Sequence, residues 1–484
     1  MKLKASGTQE VPDNVVPTVA DECKDEACMV TVSEDVKAKF AEEAKKMFEK
    51  GGQGDGEQTI EEVVVPVVKR DSWPDQSTKD PKVTLAMMVK NEEAHIADCL
   101  ESMKDHVDEI VVVDTGSTDK TVEICESYGA KVYHHKWEDS FSVARNHVIS
   151  HVETPWLIQM DADEVMEADS ASKVRDVVRS THSSNENLIH LVMVNQGKDA
   201  IEATSVVNTG KIMRVIPSLH FKNRVHNKLV CPGGVRQTNL TIIHHGYDLP
   251  DQKTMTDKKN RTTRLLLMQS AEQPEDCETH HYLCIQYLRS DAWDDAIRIG
   301  EKAAGLWEKY EPYSQLRLLT IHVVAMAYYQ KAALEKTFEL QRPLFMTSVD
   351  WSKKALVIYP DYLDSNNLLS SIYFAIKDHK ECWKYGEKYL QICDMLKQDQ
   401  SKALVIPLMS LKNEWMVCLQ LAINFFEDAN ADMAIRFVAK GEDLLPMNLK
   451  YKVSWGVFKY MLTLGDAVSV ANAEAIYMTG FQPE

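Results

Sequence analysis

Acidic residues recur in this chain at the ends of short apolar runs. VTLAMMVKNEE (Val83 to Glu93) ends on Asn91 and Glu92, EIVVVDTGSTD (Glu109 to Asp119) on Asp114 and Asp119, and WLIQMDADE (Trp156 to Glu164) on Asp161 and Asp163. Each run has the length of a buried strand. Ligands of open parallel sheets sit outside the carboxyl ends of the strands, so these groups are expected to share one crevice. Two carboxylates spaced Asp-x-Asp suit a hard divalent cation, Mg²⁺ or Mn²⁺, held against a diphosphate. Asp114 is placed to accept hydrogen bonds from a base or ribose, and Asn91 and Glu92 to meet a nucleobase edge. The alternative reading of each is structural: a strand-turn-helix joint in which Asn91, Ser117 or Thr118 caps a helix.

Two further groups belong with these. FSVARN sets Arg145 early on a helix, as a counter-charge for diphosphate or a brace for the acidic loop. HFKNRVHNKL puts His220, Arg224 and His226 at even spacing, hence on one face if the segment is extended. His226 is then a candidate third metal ligand or acid/base, and Glu164 a second candidate base. His244 and His245 are expected to pack beneath the site.

The elements that must position these residues follow from the pattern. A strand over Val83–Val89 leads to a helix near Glu93–Met103. A strand over Glu109–Val113 leads to a helix near Asp119–Ser127, and a third strand spans Lys131–His134. A helix begins near Phe141, and a strand over Trp156–Met160 ends at Asp161. Strand alternating with helix predicts a parallel sheet. Residues 188–230 turn β-rich, and Asn239–Asp248 reads as a last strand. Beyond about Asp251 helical periodicity dominates. Gly300-Glu301-Lys302 returns 86 residues later as Gly386-Glu387-Lys388, and Pro274, Pro360 and Pro446 share that offset. A tetratricopeptide repeat has a period of 34, so this reads as degenerate helical repeats, with an irregular bundle as the alternative.

Residues 1–80 carry 18 acidic and 11 basic residues and a GGQGDG run, the composition of a disordered tail. Within it, residues 33–50 present Val36, Phe40, Ala44 and Met47 on one helical face, a possible contact for a partner. The domains expected are the tail (1–80), an α/β domain (81–250) and an all-α helical-repeat domain (251–484). The formal net charge of −18 disfavours a chain built to coat nucleic acid. No run of about 20 apolar residues predicts a membrane span. The N-terminus lacks the apolar centre of a secretory signal. Ten scattered cysteines, Cys23 and Cys28 the nearest pair, suit free thiols in a reducing cytoplasm.

Taken together, VKNEE, EIVVVDTGSTDKTVEI, FSVARN, DADE and RVHN resemble, in order and spacing, the inverting glycosyltransferases of family 2. The resemblance covers about residues 82–250. It is nearest to the subgroup with C-terminal helical repeats, which includes cell-envelope glycosyltransferases and peptide S-glycosyltransferases, with Lys259–Asp276 resembling that subgroup's junction. It implies a GT-A (Rossmann-like) nucleotide-sugar domain, a donor usually UDP-linked and a divalent metal. Asp161 and Asp163 match the family's metal and diphosphate motif, Asp114 the nucleotide-binding acid, and Asn91 and Glu92 the first-strand donor contacts. Two positions depart from the pattern. Thr115 stands where many members have a second Asp, and Asn227 where subgroup members often have Glu; Asn cannot act as a base. The reading is an inverting transferase acting on a polypeptide or glycan, with the repeats presenting the acceptor or mediating dimerisation. The alternatives are a repeat scaffold with a non-catalytic GT-A domain, a nucleic-acid acceptor, and, last, a nucleotidyltransferase, for which VKNEEAHI lacks a Gly- and Arg-rich loop.

Overall fold

The computed structural model describes residues 72–195, 205–245, 252–398, 410, 412–445, 455 and 459. The tail up to residue 71, with Cys23, Cys28 and the helix expected over 33–50, lies outside the described residues. Contacts divide the chain into two compact units, one ending at Pro274 and one beginning at Glu275.

The first unit runs β1 (Val83–Val89), α1 (Ile96–Met103), β2 (Glu109–Asp114), α2 (Thr121–Ser127), β3 (Lys131–His134), α3 (Phe141–His151), β4 (Trp156–Gln159), β5 (Glu164–Met166), α4 (Ala168–His182), β6 (Glu186–Asn195), β7 (Ser205–Arg214), β8 (His220–Lys222), β9 (Lys228–Val230), β10 (Gly234–His244) and α5 (Gln252–Glu272). The sheet order is β3-β2-β1-β4-β7-β6-β10-β5, with β8 and β9 in a separate hairpin. The quartet β3-β2-β1-β4 is parallel, as the alternation of strand and helix predicts. The rest is mixed: β7 runs antiparallel to β4 and β6, while β6 and β10 are parallel.

The apolar runs are continuous because both faces of the sheet are covered. Val83, Leu85, Met87 and Val89 of β1 pack with Ile96, Leu100 and Met103 of α1 and with Val174 and Val178 of α4. Ala86 of β1, with Val111 and Val113 of β2 and Leu157 of β4, packs on Val148 and Ile149 of α3. This period of two ends where each strand ends, and the polar residues begin there. The sheet is short at its margins: β3 has four residues and β5 has three.

The second unit is all helical: α6 (Cys277–Leu288), α7 (Trp293–Tyr310), α8 (Gln315–Leu334), α9 (Phe338–Ile358), α10 (Leu363–Ala375), α11 (His379–Gln398), α12 (Glu414–Glu427) and α13 (Ala431–Leu444). They pack as consecutive pairs. The 86-residue echo spans two pairs, since Gly300 lies on α7 and Gly386 on α11. Both glycines sit where a neighbouring helix leaves no room. A Cβ on Gly300 would lie 2.5 Å from Val324 and 2.7 Å from the Cys284 sulfur, and one on Gly386 would lie 2.9 Å from the Ser370 hydroxyl and 3.0 Å from Leu421. The repeat is therefore one of close helix approach. No helix among the described residues is long and apolar enough to cross a membrane.

Gly300→Ala is expected to cost about 1–3 kcal/mol by overpacking, despite alanine's better helix propensity. A thermal melt followed by circular dichroism should show a lowered midpoint, and an unchanged or raised one would refute the packing account.

Candidate active site

The turns after β1 and β2 are joined to each other. Asn91 takes a left-handed conformation (φ 55°) that asparagine tolerates. Its N–H donates to the Ser117 hydroxyl at 2.9 Å, and its side-chain oxygen accepts from the Thr118 N–H at 2.8 Å. The Glu92 N–H donates to the Thr121 hydroxyl at 2.7 Å, and the Lys120 N–H to the Glu93 carboxylate at 3.1 Å.

These joints engage two of the expected acids. The Asp114 carboxylate accepts from the Gly116 N–H at 3.1 Å and the Ser117 N–H at 3.0 Å, and Asp119 accepts from the Thr121 and Glu93 N–H groups. Burial raises Asp114, but the bonds from Ser117 and Gly116 outweigh it, so its carboxyl sits below the usual range. Neither Asp114 nor Asp119 is among the residues lining the crevice. Both shape the loop, which is the structural alternative for these positions.

The crevice at the strand ends is a cavity of about 470 Å³. It is lined by Lys90, Asn91, Glu92 and Thr115 from the first two strand ends, Trp137 from the segment before α3, Phe141 and Arg145 from the start of α3, Asp161 and Asp163 after β4, His244 from β10 and Arg261 from α5, with Met88, Val89 and Ala162. Thr115 donates its hydroxyl to the Val89 carbonyl at 3.1 Å, which ties β2 to β1 at the cavity wall. Ser140 caps α3 by accepting from the Val143 N–H at 3.3 Å, and the following turn aims Arg145 at the acidic loop. Arg145 donates to Asp161 at 3.2 Å and to the Asn227 oxygen at 2.8 Å. So Asn227 serves Arg145 as an acceptor. Burial raises Asp161, but Arg145 and then Lys211 outweigh it and hold its carboxyl well below the usual range.

Glu164 is placed differently from the expectation. It is the first residue of β5, so its side chain turns into the sheet at 2% exposure. Lys211 of β7 donates to both its oxygens at 2.7 and 2.8 Å, and the Asp161 N–H donates to it at 2.9 Å. Burial pushes the carboxyl up, against the pull of Lys211. A carboxylate with both oxygens occupied below the cavity floor braces the Asp161 loop and cannot reach an acceptor proton.

His226 does not join the cavity either. Asn223 and His226 both have positive φ, 72° and 49°, so the segment turns between β8 and β9 instead of running extended. Even spacing therefore does not align His220, Arg224 and His226. His226 is exposed and outside the lining. Arg224 instead donates to Glu272 of α5 at 2.9 and 3.0 Å.

The histidine at the site is His244. Antiparallel pairing of β10 with β5 sets His244 opposite Glu164, one residue from Asp163. Its Nε2 lies 3.4 Å from an Asp163 oxygen, and its Nδ1 lies 2.8 Å from the Asn195 side-chain oxygen. The Asp163 bond pushes the imidazole up against its burial. Its sequence signal was the one used for the acids, a polar residue where an apolar alternating run stops. For Lys211 the available signal was a cation inside an apolar run, which it shares with Arg214 of the same strand.

No three His, Cys, Asp or Glu side chains among the described residues gather to hold a metal ion. Asp163 and His244 are two donors at a separation near the about 3 Å of neighbouring ligands around an octahedral ion with bonds of about 2.1 Å. A cation bound by one or two protein groups plus phosphate oxygens and water fits that pair. Asp161 would face such a cation while paired to Arg145. Around it the carboxylates crowd: burial and then Asp163 push Glu92 up to about 7.

Residues 84–184 match the family model for Glycosyl transferase family 2. The chain is 24% identical over 244 residues to the SPbeta prophage-derived glycosyltransferase SunS of Bacillus subtilis (strain 168), covering 49% of this chain and 56% of that protein. It thus spans little more than half the length of that relative. It is 42% identical over 94 residues to a TPR repeat-containing protein of Synechococcus elongatus, covering 19% of this chain and 23% of that protein. It is similar in structure to a glucosyl-3-phosphoglycerate synthase from Mycobacterium tuberculosis, solved with Mn²⁺, UDP and glucosyl-3-phosphoglycerate, at 14% identity and a TM-score of 0.28, covering 42% of this chain and 85% of that one. A likeness at that score decides nothing about the site.

Lys211→Met would strand the buried Glu164 charge and is expected to destabilise the first unit by about 3–5 kcal/mol. The double variant with Glu164→Gln should recover most of that loss in urea unfolding. Equal losses in the single and double variants would contradict the brace.

Proposed function

We propose that this chain is an inverting glycosyltransferase that moves a sugar from a nucleotide-sugar donor, UDP-linked, to a large acceptor such as a polypeptide or glycan. The observation that carries the reading is the Asp163–His244 pair beside the Arg145–Asp161 pair, in a cavity at the carboxyl ends of β1, β2 and β4. That cavity begins in the segment matching the family model.

A divalent cation, Mn²⁺ or Mg²⁺, on Asp163 and His244 would supply positive charge for the leaving diphosphate. The chain's own groups do the rest. Trp137 and Phe141 form an aromatic wall, their rings 4.9 Å apart, against which a base or sugar face can lie. Asn91 and Thr115 hold the first two strand ends together and so fix the width of the cavity where the donor enters. Arg145 keeps Asp161 ionised and oriented. Glu92, pushed up to about 7 by burial and then by Asp163, is the cavity carboxyl best poised to take the acceptor's proton. The paired helices of the second unit offer a surface for a polypeptide acceptor.

The test is UDP release from a panel of UDP-sugars, with and without Mn²⁺, in the full chain and in Asp163→Ala. One donor is expected to be hydrolysed in a metal-dependent manner, with the rate falling about 100-fold or more in the variant. No turnover and no donor binding in a folded parent chain would favour a helical scaffold with a non-catalytic sheet domain.

A further inference from the structure

Helix α5 lies beyond the sheet, yet it is fastened to loops on the cavity's rim. Arg264 donates to both Asp139 oxygens at 2.8 and 2.6 Å, which ties α5 to the segment before α3. Glu272 accepts from Arg224, and the Gln269 oxygen accepts from the Arg224 N–H at 2.7 Å, which ties α5 to the β8–β9 connection. Residues 261, 264, 268 and 272 fall at helical spacing on one face. The clamps that use Arg264 and Glu272 therefore set the direction of Arg261 as well, and Arg261 is the residue of that face that lines the cavity.

The surroundings of Arg261 differ from those of the other cations there. Arg145 is paired with Asp161, and His244 with Asp163. Lys90 is exposed, as is Arg261. Arg261 makes no hydrogen bond or salt bridge among the described residues, and its guanidinium lies over the Phe141 ring, 5.3 Å from the centroid. Stacking occupies the face of the guanidinium and leaves its N–H edge available. This fork of donors sits on a helix clamped at Arg264 and Glu272, in the same lining as Glu92, which acts on it through charge but makes no hydrogen bond to it among the described residues, so its N–H edge can take an anion from outside the chain.

We propose that Arg261 is a donor-binding residue that grips the diphosphate of the nucleotide-sugar through its N–H edge, opposite the Asp163–His244 pair. The inference rests on the nucleotide-sugar reading above and adds to it the second counter-charge. Two oxygens of a phosphate suit the planar fork better than a point charge would. On this account α5 does more than lead to the helical unit. It completes the donor site, and Arg264 and Glu272 act as positioning residues for Arg261.

Isothermal titration of the full chain with UDP, uridine and inorganic pyrophosphate, each with Mn²⁺, tests this. Arg261→Gln is expected to weaken UDP and pyrophosphate about tenfold or more, the scale of one charge-assisted hydrogen bond, and to leave uridine within about twofold. Arg261→Lys should fall between, keeping the charge without the fork; it also carries the test if the glutamine variant does not fold. UDP affinity unchanged in a folded variant would overturn the assignment. So would equal losses for UDP and uridine, which would mark Arg261 as a support for Phe141. If the parent chain binds neither UDP nor pyrophosphate, the nucleotide-sugar reading fails first and this inference falls with it, an outcome visible before any variant is made.

Discussion

The acidic end of β4 stays in place because one ion pair is buried beneath it. Glu164 and Lys211 are 2% and 7% exposed, and each would be costly to bury alone. Together they form a rigid post. Glu164 takes the Asp161 N–H, and Lys211 approaches the Asp161 carboxylate at 4.0 Å. The Asp-x-Asp loop is therefore held from below while its carboxylates pair with Arg145 and His244 at the cavity. Arg145 completes the arrangement from above, and it is set by the cap of α3, not by the loop it steadies.

Charge in the cavity follows a related rule. Carboxylates whose oxygens receive backbone N–H groups, such as Asp114, are kept ionised cheaply and cost the fold nothing further. Glu92 has no such bonds to offset its burial, and it rises. Acids that build the loops and acids that wait for a ligand thus look alike in composition and differ in how many donors reach them. The left-handed Asn91 belongs to the first kind of work, since its side chain serves Thr118.

Much of this was legible in the residues. Apolar runs of period two located β1, β2 and β4, and the polar residues just beyond them include Asn91, Glu92, Asp161 and Asp163, all of which line the cavity. Asp114 and Asp119 lie outside that lining and accept backbone N–H groups of the turns, and sequence does not say which amides reach a carboxylate. Glu164 was misplaced because it begins a three-residue strand, too short for any periodic signal. His226 yielded to His244 for a reason of register: only the antiparallel ladder between β5 and β10 brings residues 163 and 244 together. The glycine echo in the helices was visible as a spacing, and its cause, a methyl group's worth of missing room against Val324 or Leu421, required the packing.

The sheet's margins bear on how this chain can meet another copy of itself. An unpaired strand edge is a template for intermolecular ladder growth, and the hazard scales with its length. Here the strands of ten and eleven residues lie in the interior of the order, and the borders are β3 and β5, with four residues and three. Such stubs give a foreign strand almost no register to lock into. Main-chain pairing is accordingly disfavoured at the β3 border, whereas β5 covers β10 only over Ile242–His244 and leaves Gly234–Thr241 without a strand partner on that side among the described residues.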